Sequence, residues 1–327
     1  MSRGDLITGG AGFIGSHLAD ELVRRGRSVT VLDDLSTGRA SNIAHLVGTP
    51  PFEFVEGSVT DAPLVRDLVA SHDRVFHLAA AVGVRLVIDQ PVQTIETNVG
   101  GASNVMAAAA GAGTPVLVAS TSEAYGKSAA LPFREDADVV LGPTSRRRWA
   151  YASSKLLDEF LALAHRIESG TRVVIARLFN TIGPRQTGTY GMVVPRFVTQ
   201  AMEGDPLTVY GPGTQRRCFS DVADVVPAMP DLLECPGADG EVVNIGNTES
   251  ISIEDLAKLV VEVTGSRSEI VRVPYDEAYP AGFEDMEART PDLSRARRLI
   301  GFAPRITLRE SVERIWRALK NGNGIAE

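Results

Sequence analysis

The sequence predicts an α/β protein with a doubly wound, Rossmann-like parallel sheet and a smaller C-terminal substrate-binding domain. Two observations lead to this fold class. Apolar, β-rich runs alternate with helical patterns as far as about residue 180, which is typical of a parallel sheet covered on both faces. Beyond residue 180, turn signals multiply and the alternation becomes irregular. We therefore expect the first domain at residues 1–180, with a returning segment at about 220–246, and mostly the second domain at residues 181–320.

The first domain contains candidate strands that are short and either apolar or β-branched. They lie at residues 6–8, 28–32, 52–56, 74–78, 115–119 and 172–178. Helical patterns lie between them at residues 16–25, 63–70, 99–111 and 150–168. The third helical pattern is rich in alanine, which favours close packing against the sheet. Residues 221–233 and 242–245 are predicted to return a helix and a strand to this domain.

Composition excludes several classes of protein. With 327 residues, 44% of them hydrophobic and 23% charged, the chain can bury a large core and is not disordered. The net charge of −8 argues against nucleic-acid binding, and the arginine run at 146–148 is interpreted as a solvated loop. No apolar run is long enough for a membrane span, and the first strand starts at once, so we expect no signal peptide and a cytoplasmic location. The two cysteines and five scattered histidines predict no metal site.

A glycine cluster follows the first strand. Gly9, Gly12 and Gly15 have the spacing G-x-x-G-x-x-G and lead into a helical pattern through Phe13 and Ile14. In such a turn the first glycine allows the bend, the second lets a pyrophosphate approach, and the third lets helix and strand pack closely. Glycine clusters are also common in ordinary surface turns. The surrounding sequence therefore decides whether this cluster is a pyrophosphate-binding turn or a surface turn.

Asp33 supplies that context, since it ends the second strand about 20 residues after the glycines. A carboxylate at this place can bind the ribose hydroxyls of an adenosine and repels a 2′-phosphate. We therefore predict NAD rather than NADP as the cofactor. The alternative is that Asp33 only ends a strand.

Tyr151 and Lys155 are four residues apart in a helical pattern, so both should lie on one helix face. An ammonium group beside a phenol favours the phenolate, which would lower the pKa of the tyrosine from about 10 toward neutrality. The tyrosine would then accept a proton. A Tyr/Lys pair on its own more often marks a solvated face, so this interpretation depends on the other motifs.

Polar side chains follow the fifth strand at Thr121, Ser122 and Glu123. Open parallel sheets bind ligands at this end of their strands. The hydroxyl groups can hydrogen-bond a substrate hydroxyl, and Glu123 could move a second proton that Tyr151 cannot reach. These three residues could instead simply cap a helix.

In their order, these motifs resemble the extended short-chain dehydrogenase/reductase family, also called the NAD-dependent epimerase/dehydratase family, over nearly the whole chain. Further marks of the resemblance are His77-Leu78-Ala79-Ala80, Asn98 and the run 177–185. Members of the family modify nucleotide-linked sugars with tightly held NAD, and they are generally homodimers joined through helices that correspond to residues 98–111 and 150–168. The resemblance implies cofactor contacts at Gly9, Gly12, Phe13, Ile14, Gly15, Asp33, Asp34, Ser58, Val59, Leu78, Ala79, Ala80, Asn98, Tyr151 and Lys155.

Within the family, the run Thr121-Ser122-Glu123 is most similar to the UDP-glucuronic acid decarboxylases. Sugar-nucleotide 4,6-dehydratases resemble a Thr-Asp-Glu pattern instead, and 4-epimerases usually carry a small residue at the glutamate position. Residues 282–292 resemble the decarboxylase segment whose arginine, here Arg289, reaches the active site. Two departures are Phe283, where a tyrosine is expected, and Ser58, where many relatives carry an adenine-binding aspartate.

The decarboxylase resemblance implies a task for each residue. Tyr151, supported by Lys155, would remove the proton of the sugar C4 hydroxyl while NAD accepts a hydride, and the ketone formed would allow CO2 to leave from C6. The products would be UDP-4-keto-pentose or, after the hydride returns, UDP-xylose. The implied catalytic group is Tyr151, Lys155, Thr121, Ser122, Glu123 and Arg289. In it, Thr121 holds the C4 oxygen, Glu123 orders a water or otherwise assists protonation at C5, and Arg289 positions the carboxylate or helps protonation. The resemblance implies substrate contacts at Asn180 and Arg217 for the diphosphate, at 207–210, with Thr208 and Tyr210, for the uracil, and at Arg289 for the sugar acid. Three further arginines are candidates from their chemistry: Arg196 for the phosphate or the sugar acid, Arg185 for either role or for a surface salt bridge, and Arg85 for the carboxylate or for solvent.

Two alternatives to decarboxylation stay open from the sequence. A 4-epimerase acting on the same UDP-sugar would reduce the ketone on its other face before CO2 leaves. A regulator that binds NAD without catalysis would usually lack the tyrosine or the lysine, and both are present here.

Overall fold

A computed structural model describes residues 3–83, 87, 89–188, 191–279, 284 and 286–322. In chain order the strands are β1 (Asp5–Thr8), β2 (Val29–Asp33), β3 (Phe52–Glu56), β4 (Arg74–His77), β5 (Val116–Thr121), β6 (Val173–Leu178), β7 (Thr181–Ile182), β8 (Leu207–Tyr210), β9 (Arg216–Cys218), β10 (Ser220–Asp221), β11 (Val242–Ile245), β12 (Ser250–Ser252), β13 (Ile270–Val273) and β14 (Ala288–Arg289). The helices are α1 (Phe13–Arg24), α2 (Ala62–Ala70), α3 (Pro91–Ile95), α4 (Gly101–Ala112), α5 (Trp149–Ser169), α6 (Val193–Glu203), α7 (Val222–Glu234), α8 (Ile253–Thr264), α9 (Tyr275–Ala278), α10 (Ser294–Ile300) and α11 (Leu308–Lys320).

Seven of these strands form one parallel sheet, in the order β11-β6-β5-β4-β1-β2-β3. Strand β1 lies between β2 and β4, so that Asp5 is opposite both Val29 and Arg74. The strand order therefore changes direction at β1, and a crevice opens beside its carboxyl end. This is the doubly wound sheet that the sequence predicts, and the fold class is confirmed.

Helices cover both faces of this sheet. On one face α1 and α7 pack through side chains such as Leu18 and Leu232. On the other face α4 and α5 pack through Met106 and Ala162. Burial of these apolar surfaces is the main favourable contribution to folding. Because both faces are covered, the strands appear in the sequence as nearly continuous apolar runs.

The segment after residue 180 returns to the first sheet. Strand β11 pairs with β6 in parallel, with Val242 opposite Ile175, and α7 packs against α1. Helix α10 joins the same core through Ala296, a return for which the sequence pattern provides no prediction. The C-terminal half therefore contributes to both regions of the molecule.

A second core lies in the C-terminal half. Helices α6, α8 and α11 pack around β8 through buried side chains that include Phe197, Leu256 and Val312. The short strands beside it form separate small sheets, in which β8 pairs with β13 and β9 pairs with β12 and β14. This second core lies within the predicted second domain; the role of that domain in substrate binding and its boundaries at residues 181 and 320 stay predictions.

The helix predicted at residues 99–111 begins earlier than expected. Helix α3 starts at Pro91, continues through a π-helical segment at Glu96–Gly100, and passes directly into α4. Proline suits a helix start because it lacks the N–H that would have no partner there. Asn98 therefore lies inside a continuous helical segment and not before the helix.

Over the part of the chain that the structure describes, no helix is both long and apolar enough to cross a membrane. The same residues contain no group of three or more His, Cys, Asp or Glu side chains arranged to hold a metal ion.

Candidate active site

A cavity of about 560 Å³ opens at the carboxyl ends of β1, β4, β5 and β6. Open parallel sheets bind ligands at this edge. The predicted residues in its wall are Gly9, Gly12, Phe13, Ile14, Gly15, Asp33, Asp34, Val59, Leu78, Ala79, Ala80, Thr121, Ser122, Glu123, Tyr151, Lys155, Asn180, Arg185 and Arg289. The fold thus brings the glycine turn, the end of β5 and the start of α5 to one cavity, although these segments are far apart in the chain.

The turn after β1 requires glycine for steric reasons. Gly9 has a φ of +73°, and a Cβ added there would lie 2.6 Å from the backbone nitrogen of Ala79. A Cβ added to Gly15 would lie 2.2 Å from the carbonyl oxygen of Gly9. Helix α1 begins at Phe13, and Gly12 is its N-cap, without a side chain over the helix start. Backbone N–H groups at such a start favour a bound anion, so the turn fits a pyrophosphate.

Asp33 lies at the end of β2 in the cavity wall. Its carboxylate accepts hydrogen bonds of 2.9 Å from the N–H groups of Ala11 and Leu35. Burial raises the pKa of Asp33, although these backbone bonds oppose the increase. The carboxylate therefore holds the glycine turn in shape and also faces the cavity. Together with the turn, it fits the adenosine half of a dinucleotide.

Two predicted cofactor residues are not in the cavity wall. The Asn98 side chain is buried; it accepts a hydrogen bond from the Ala81 N–H at 2.8 Å and donates one to the Ser154 hydroxyl at 3.0 Å. It therefore ties the loop after β4 to α5. The Ser58 hydroxyl hydrogen-bonds the Thr60 hydroxyl at 3.0 Å. Direct cofactor contacts by these two residues stay a prediction.

Tyr151 and Lys155 both lie on the buried face of α5, with exposures of 8% and 2%. Thr121 and Tyr151 lie together in the cavity wall. Lys155 Nζ donates to Asp158 Oδ2 at 2.6 Å, so the ammonium charge is balanced by a carboxylate. Burial raises the pKa of Tyr151, and the negative charges of Glu123 and Asp158 raise it further. The expectation that Lys155 lowers this pKa toward neutrality is therefore wrong for this arrangement, because burial raises the pKa of Tyr151 and Asp158 balances the lysine charge.

Glu123 lies between two guanidinium groups. Its Oε2 accepts a hydrogen bond from Arg148 Nη1, and its Oε1 accepts one from Arg289 Nη1 at 3.4 Å. Burial by itself would raise the pKa of Glu123, but the charges of Arg148 and Arg289 lower it to about 2. Glu123 is therefore a carboxylate at neutral pH. In this arrangement it can orient a water or a cation, and it does not carry a proton to donate.

Arg148 is a site residue that the sequence analysis missed, because the arginine run at 146–148 is interpreted there as a solvated loop. The structure confirms exposure for Arg146 and Arg147 only. Arg148 is 4% exposed and pairs with Glu123. Its position three residues before Tyr151, at the start of the same helix, is the signal that could have identified it.

Asn180 and Arg185, two predicted substrate residues, lie in the cavity wall, and their contact with a substrate stays a prediction. Asn180 Nδ2 donates to the carbonyl oxygen of Cys218 at 3.0 Å, and Arg185 pairs with Asp20 at 2.8 Å. Both residues have positive φ angles, 24° and 69°, which bulky side chains rarely adopt. The strain shows that the surrounding structure fixes this loop tightly.

Other predicted substrate residues form a separate cluster next to β8. Arg196 Nη1 donates to the Thr208 hydroxyl at 2.7 Å, and its guanidinium carbon lies 3.9 Å from the centre of the Tyr210 ring. Arg217 lies on β9, opposite Arg289 in the parallel pairing with β14. Arg85 lies outside the described residues, as do Gly282 and Phe283.

A buried ion pair supports the wall of the site from behind. Arg177 on β6 donates two hydrogen bonds to Glu159 on α5, at 2.9 and 2.7 Å. The Ser120 hydroxyl donates to the same carboxylate, and the guanidinium group of Arg177 lies over the Tyr125 ring at 4.7 Å. These contacts connect α5 to the end of β5, and they fix Tyr151 relative to Thr121.

Comparisons with known proteins agree with this geometry. The family model described as GDP-mannose 4,6 dehydratase matches residues 6–315. A UDP-N-acetyl-alpha-D-glucosaminuronate decarboxylase of Bacillus cytotoxicus is 42% identical over 314 residues, which cover 96% of each chain. UDP-glucuronic acid decarboxylase 1 of Danio rerio is 36% identical over 309 residues, 94% of this chain and 71% of that one. The crystal structure of a UDP-glucuronic acid 4-epimerase of Bacillus cereus, with UDP-glucuronic acid and NAD, is 27% identical, with a TM-score of 0.87 and coverage of 97% and 99%.

Proposed function

The chain belongs to the GDP-mannose 4,6-dehydratase family of NAD-dependent enzymes, and we propose that it decarboxylates UDP-glucuronic acid to UDP-4-keto-pentose, UDP-xylose or both. The observation that carries this proposal is the pairing of Glu123 with Arg289 in the same wall as Tyr151 and Lys155. Tyr151 and Lys155 serve the oxidation at C4, whereas Arg289 provides a partner for a carboxylate on the sugar. The decarboxylases among its relatives support the same reaction.

NAD, when bound, accepts the hydride from C4 of the sugar and can return it. Tyr151 takes the proton of the C4 hydroxyl, and Thr121, which lies in the same cavity wall, orients the C4 oxygen. The ketone at C4 is β to the carboxylate, so the C5–C6 bond can break with its electron pair delocalised into an enolate. Arg289 holds the carboxylate before CO2 leaves, and Glu123, as a carboxylate, orders the water that returns a proton to C5.

A second candidate substrate is UDP-N-acetyl-glucosaminuronic acid, which should be assayed in the same way. The relative with 42% identity acts on UDP-N-acetyl-glucosaminuronic acid, and it aligns along 96% of its own length. The UDP-glucuronic acid decarboxylases are 36–38% identical. The two substrates differ at C2, away from the C4 oxidation and the C6 carboxylate, so the same residues can catalyse both reactions.

A 4-epimerase is the alternative within the family, and the solved epimerase supports it by fold, at 27% identity. The relatives that are decarboxylases are more similar in sequence, at 36–42%. The ionised Glu123 between two arginines also favours the decarboxylase, because it can order the water that protonates C5, a step that epimerisation at C4 does not require.

A cytoplasmic location stays a prediction. We also propose that the protein forms a homodimer. On α5, three apolar side chains at helical spacing are exposed: Leu157 by 50%, Phe160 by 67% and Ile167 by 80%. Val92 and Ile95 on α3 are also exposed, by 66% and 44%. A stripe of large apolar side chains on one helix face is typical of a surface that a partner covers. The stripe agrees with the dimer predicted through residues 98–111 and 150–168.

The experiment that tests the function is incubation with NAD and either UDP-glucuronic acid or UDP-N-acetyl-glucosaminuronic acid, with products identified by mass and NMR. We expect loss of the mass of CO2 from at least one substrate. The Glu123→Gln variant should still reduce NAD, but its decarboxylated product should fall by about 100-fold or more. Unchanged mass with conversion to the galacto isomer would identify an epimerase, and no conversion of either substrate would contradict both enzymatic proposals.

A further inference from the structure

Glu123 has two arginine partners that differ in position. Arg289 is in the wall of the cavity, and its guanidinium group can meet a bound sugar. Arg148 is not among the wall residues and lies behind Glu123, at the start of α5. A substrate therefore reaches Arg289 directly, whereas the hydrogen bond that ties Arg148 to the cavity wall is the one to Glu123.

The two contacts also differ in strength. Arg148 Nη1 and Glu123 Oε2 are in close contact, and the Arg148 side chain is 4% exposed. Arg289 Nη1 is 3.4 Å from Glu123 Oε1, at the outer limit of a hydrogen bond. The closer pair should survive when the longer one is broken, since the two arginines hold different oxygen atoms of one carboxylate.

We propose that Arg148 is a positioning residue that holds Glu123 as a carboxylate and thereby leaves Arg289 able to bind the carboxylate of the substrate. This inference rests on the proposed function, because it assigns Arg289 to a uronic acid. A buried carboxylate that loses its last cationic partner is strongly destabilised. With Arg148 in place, Glu123 keeps one partner while Arg289 turns to the substrate.

The ionisation of Glu123 depends on all the charged and titratable groups that face it. The Arg148 and Arg289 side chains provide positive charge from the start of α5 and from β14. Tyr151 faces it from the first turn of α5, and the charge of Lys155 is balanced by Asp158 on the same helix. Removing Arg148 therefore leaves Arg289 as the cation that pairs with Glu123 among the described residues.

The test compares Arg148→Gln, Arg148→Lys and the exposed neighbour Arg147→Gln as a matched control. At pH 7 we expect Arg148→Gln to lower kcat for the uronic acid by about 100-fold and to raise KM, while inhibition by UDP, which has no carboxylate on a sugar, is unchanged. The kcat of this variant should recover as the pH rises, because Glu123 ionises again. Arg148→Lys should restore most of the activity at pH 7, and Arg147→Gln should behave as the wild type.

A loss of kcat in Arg148→Gln that is equal at every pH, or a parallel loss of UDP binding, would show a merely structural role and overturn the proposal. The protonation of Glu123 can also be read without turnover, in infrared spectra. Because Arg289 still pairs with Glu123 in Arg148→Gln, its protonated carboxyl band should appear at a higher pH than in the wild type, and the band should be absent from Arg148→Gln/Glu123→Gln. If the wild type converts no uronic acid, the proposed function fails, whereas an unshifted band in Arg148→Gln would independently overturn the role assigned to Arg148.

Discussion

Two buried ion pairs on helix α5 differ in how completely their carboxylates are satisfied. Glu159 uses both oxygens: Arg177 donates to each of them, and Ser120 adds a third hydrogen bond. Asp158, the preceding residue, accepts from Lys155 at Oδ2, while its Oδ1 is buried without a hydrogen-bond partner among the described residues. The first pair is therefore built as a structural support, and the second holds a functional lysine by a single bond.

This difference indicates how one helix can hold both a structural ion pair and a catalytic side chain. Successive residues of a helix lie about 100° apart around its axis, so Glu159 and Asp158 face different neighbours. Glu159 meets the sheet through β5 and β6, whereas Asp158 faces Lys155 one turn earlier. A fork of two hydrogen bonds fixes the geometry of Arg177, and a single bond leaves Lys155 able to exchange its partner.

The largest effect on stability is expected from breaking the supporting pair. Arg177→Met leaves the Glu159 carboxylate buried without its cation, which should lower the free energy of unfolding by about 3–5 kcal/mol. Urea unfolding followed by circular dichroism measures this loss. The double variant Arg177→Met/Glu159→Gln should recover part of the stability. A loss below about 1 kcal/mol in the single variant would contradict the supporting role.

The next effect concerns activity, and it comes from the lysine of the second pair. Lys155→Met should lower kcat/KM by about 100-fold or more, because the Asp158 carboxylate would then raise the pKa of Tyr151 without an ammonium group to balance it. Initial rates of CO2 release give the comparison. Lys258→Met is a matched control, since Lys258 pairs with Asp255 at the same three-residue spacing on α8, but both side chains are more than half exposed. The Lys258→Met variant should leave the rate and the unfolding midpoint unchanged. Equal losses of kcat/KM in Lys155→Met and Lys258→Met would contradict a functional role that is specific to the buried lysine.

The smallest effect is a shift in pH dependence, and it comes from Asp158. The pKa of Tyr151 is raised above its ordinary value, so the phenolate fraction of the wild type should rise with pH throughout the neutral range. The wild-type kcat/KM should rise with it. Asp158→Asn removes one of the negative charges that raise this pKa, and we expect the profile to move to lower pH by about one unit. Asp158→Glu keeps the charge and should restore the wild-type profile. An unchanged profile in Asp158→Asn would show that Asp158 does not tune Tyr151.

Much of the fold could be predicted from the sequence, because it depends on local patterns. The strands of the first half lie within two residues of the predicted runs, since alternating apolar segments and glycine turns determine them directly. The start of the helix at Pro91 was missed, because apolar periodicity weakens before residue 99 and the start depends on a proline. The return of α10 to the first core depends on contacts between distant segments, which periodicity does not encode.

The sequence by itself determined the doubly wound sheet, the glycine turn, and the placement of Tyr151 and Lys155 on one helix face. Only the tertiary structure decided which charges meet. Arg148 and Arg147 are neighbours of the same type, yet one is buried against Glu123 and the other is exposed. The pairing of Lys155 with Asp158 has helical spacing, but its effect on Tyr151 depends on the burial of that face. The physical reason is that the energy of a charge depends on its solvent and on partners from distant segments, and both are established only when the chain has folded.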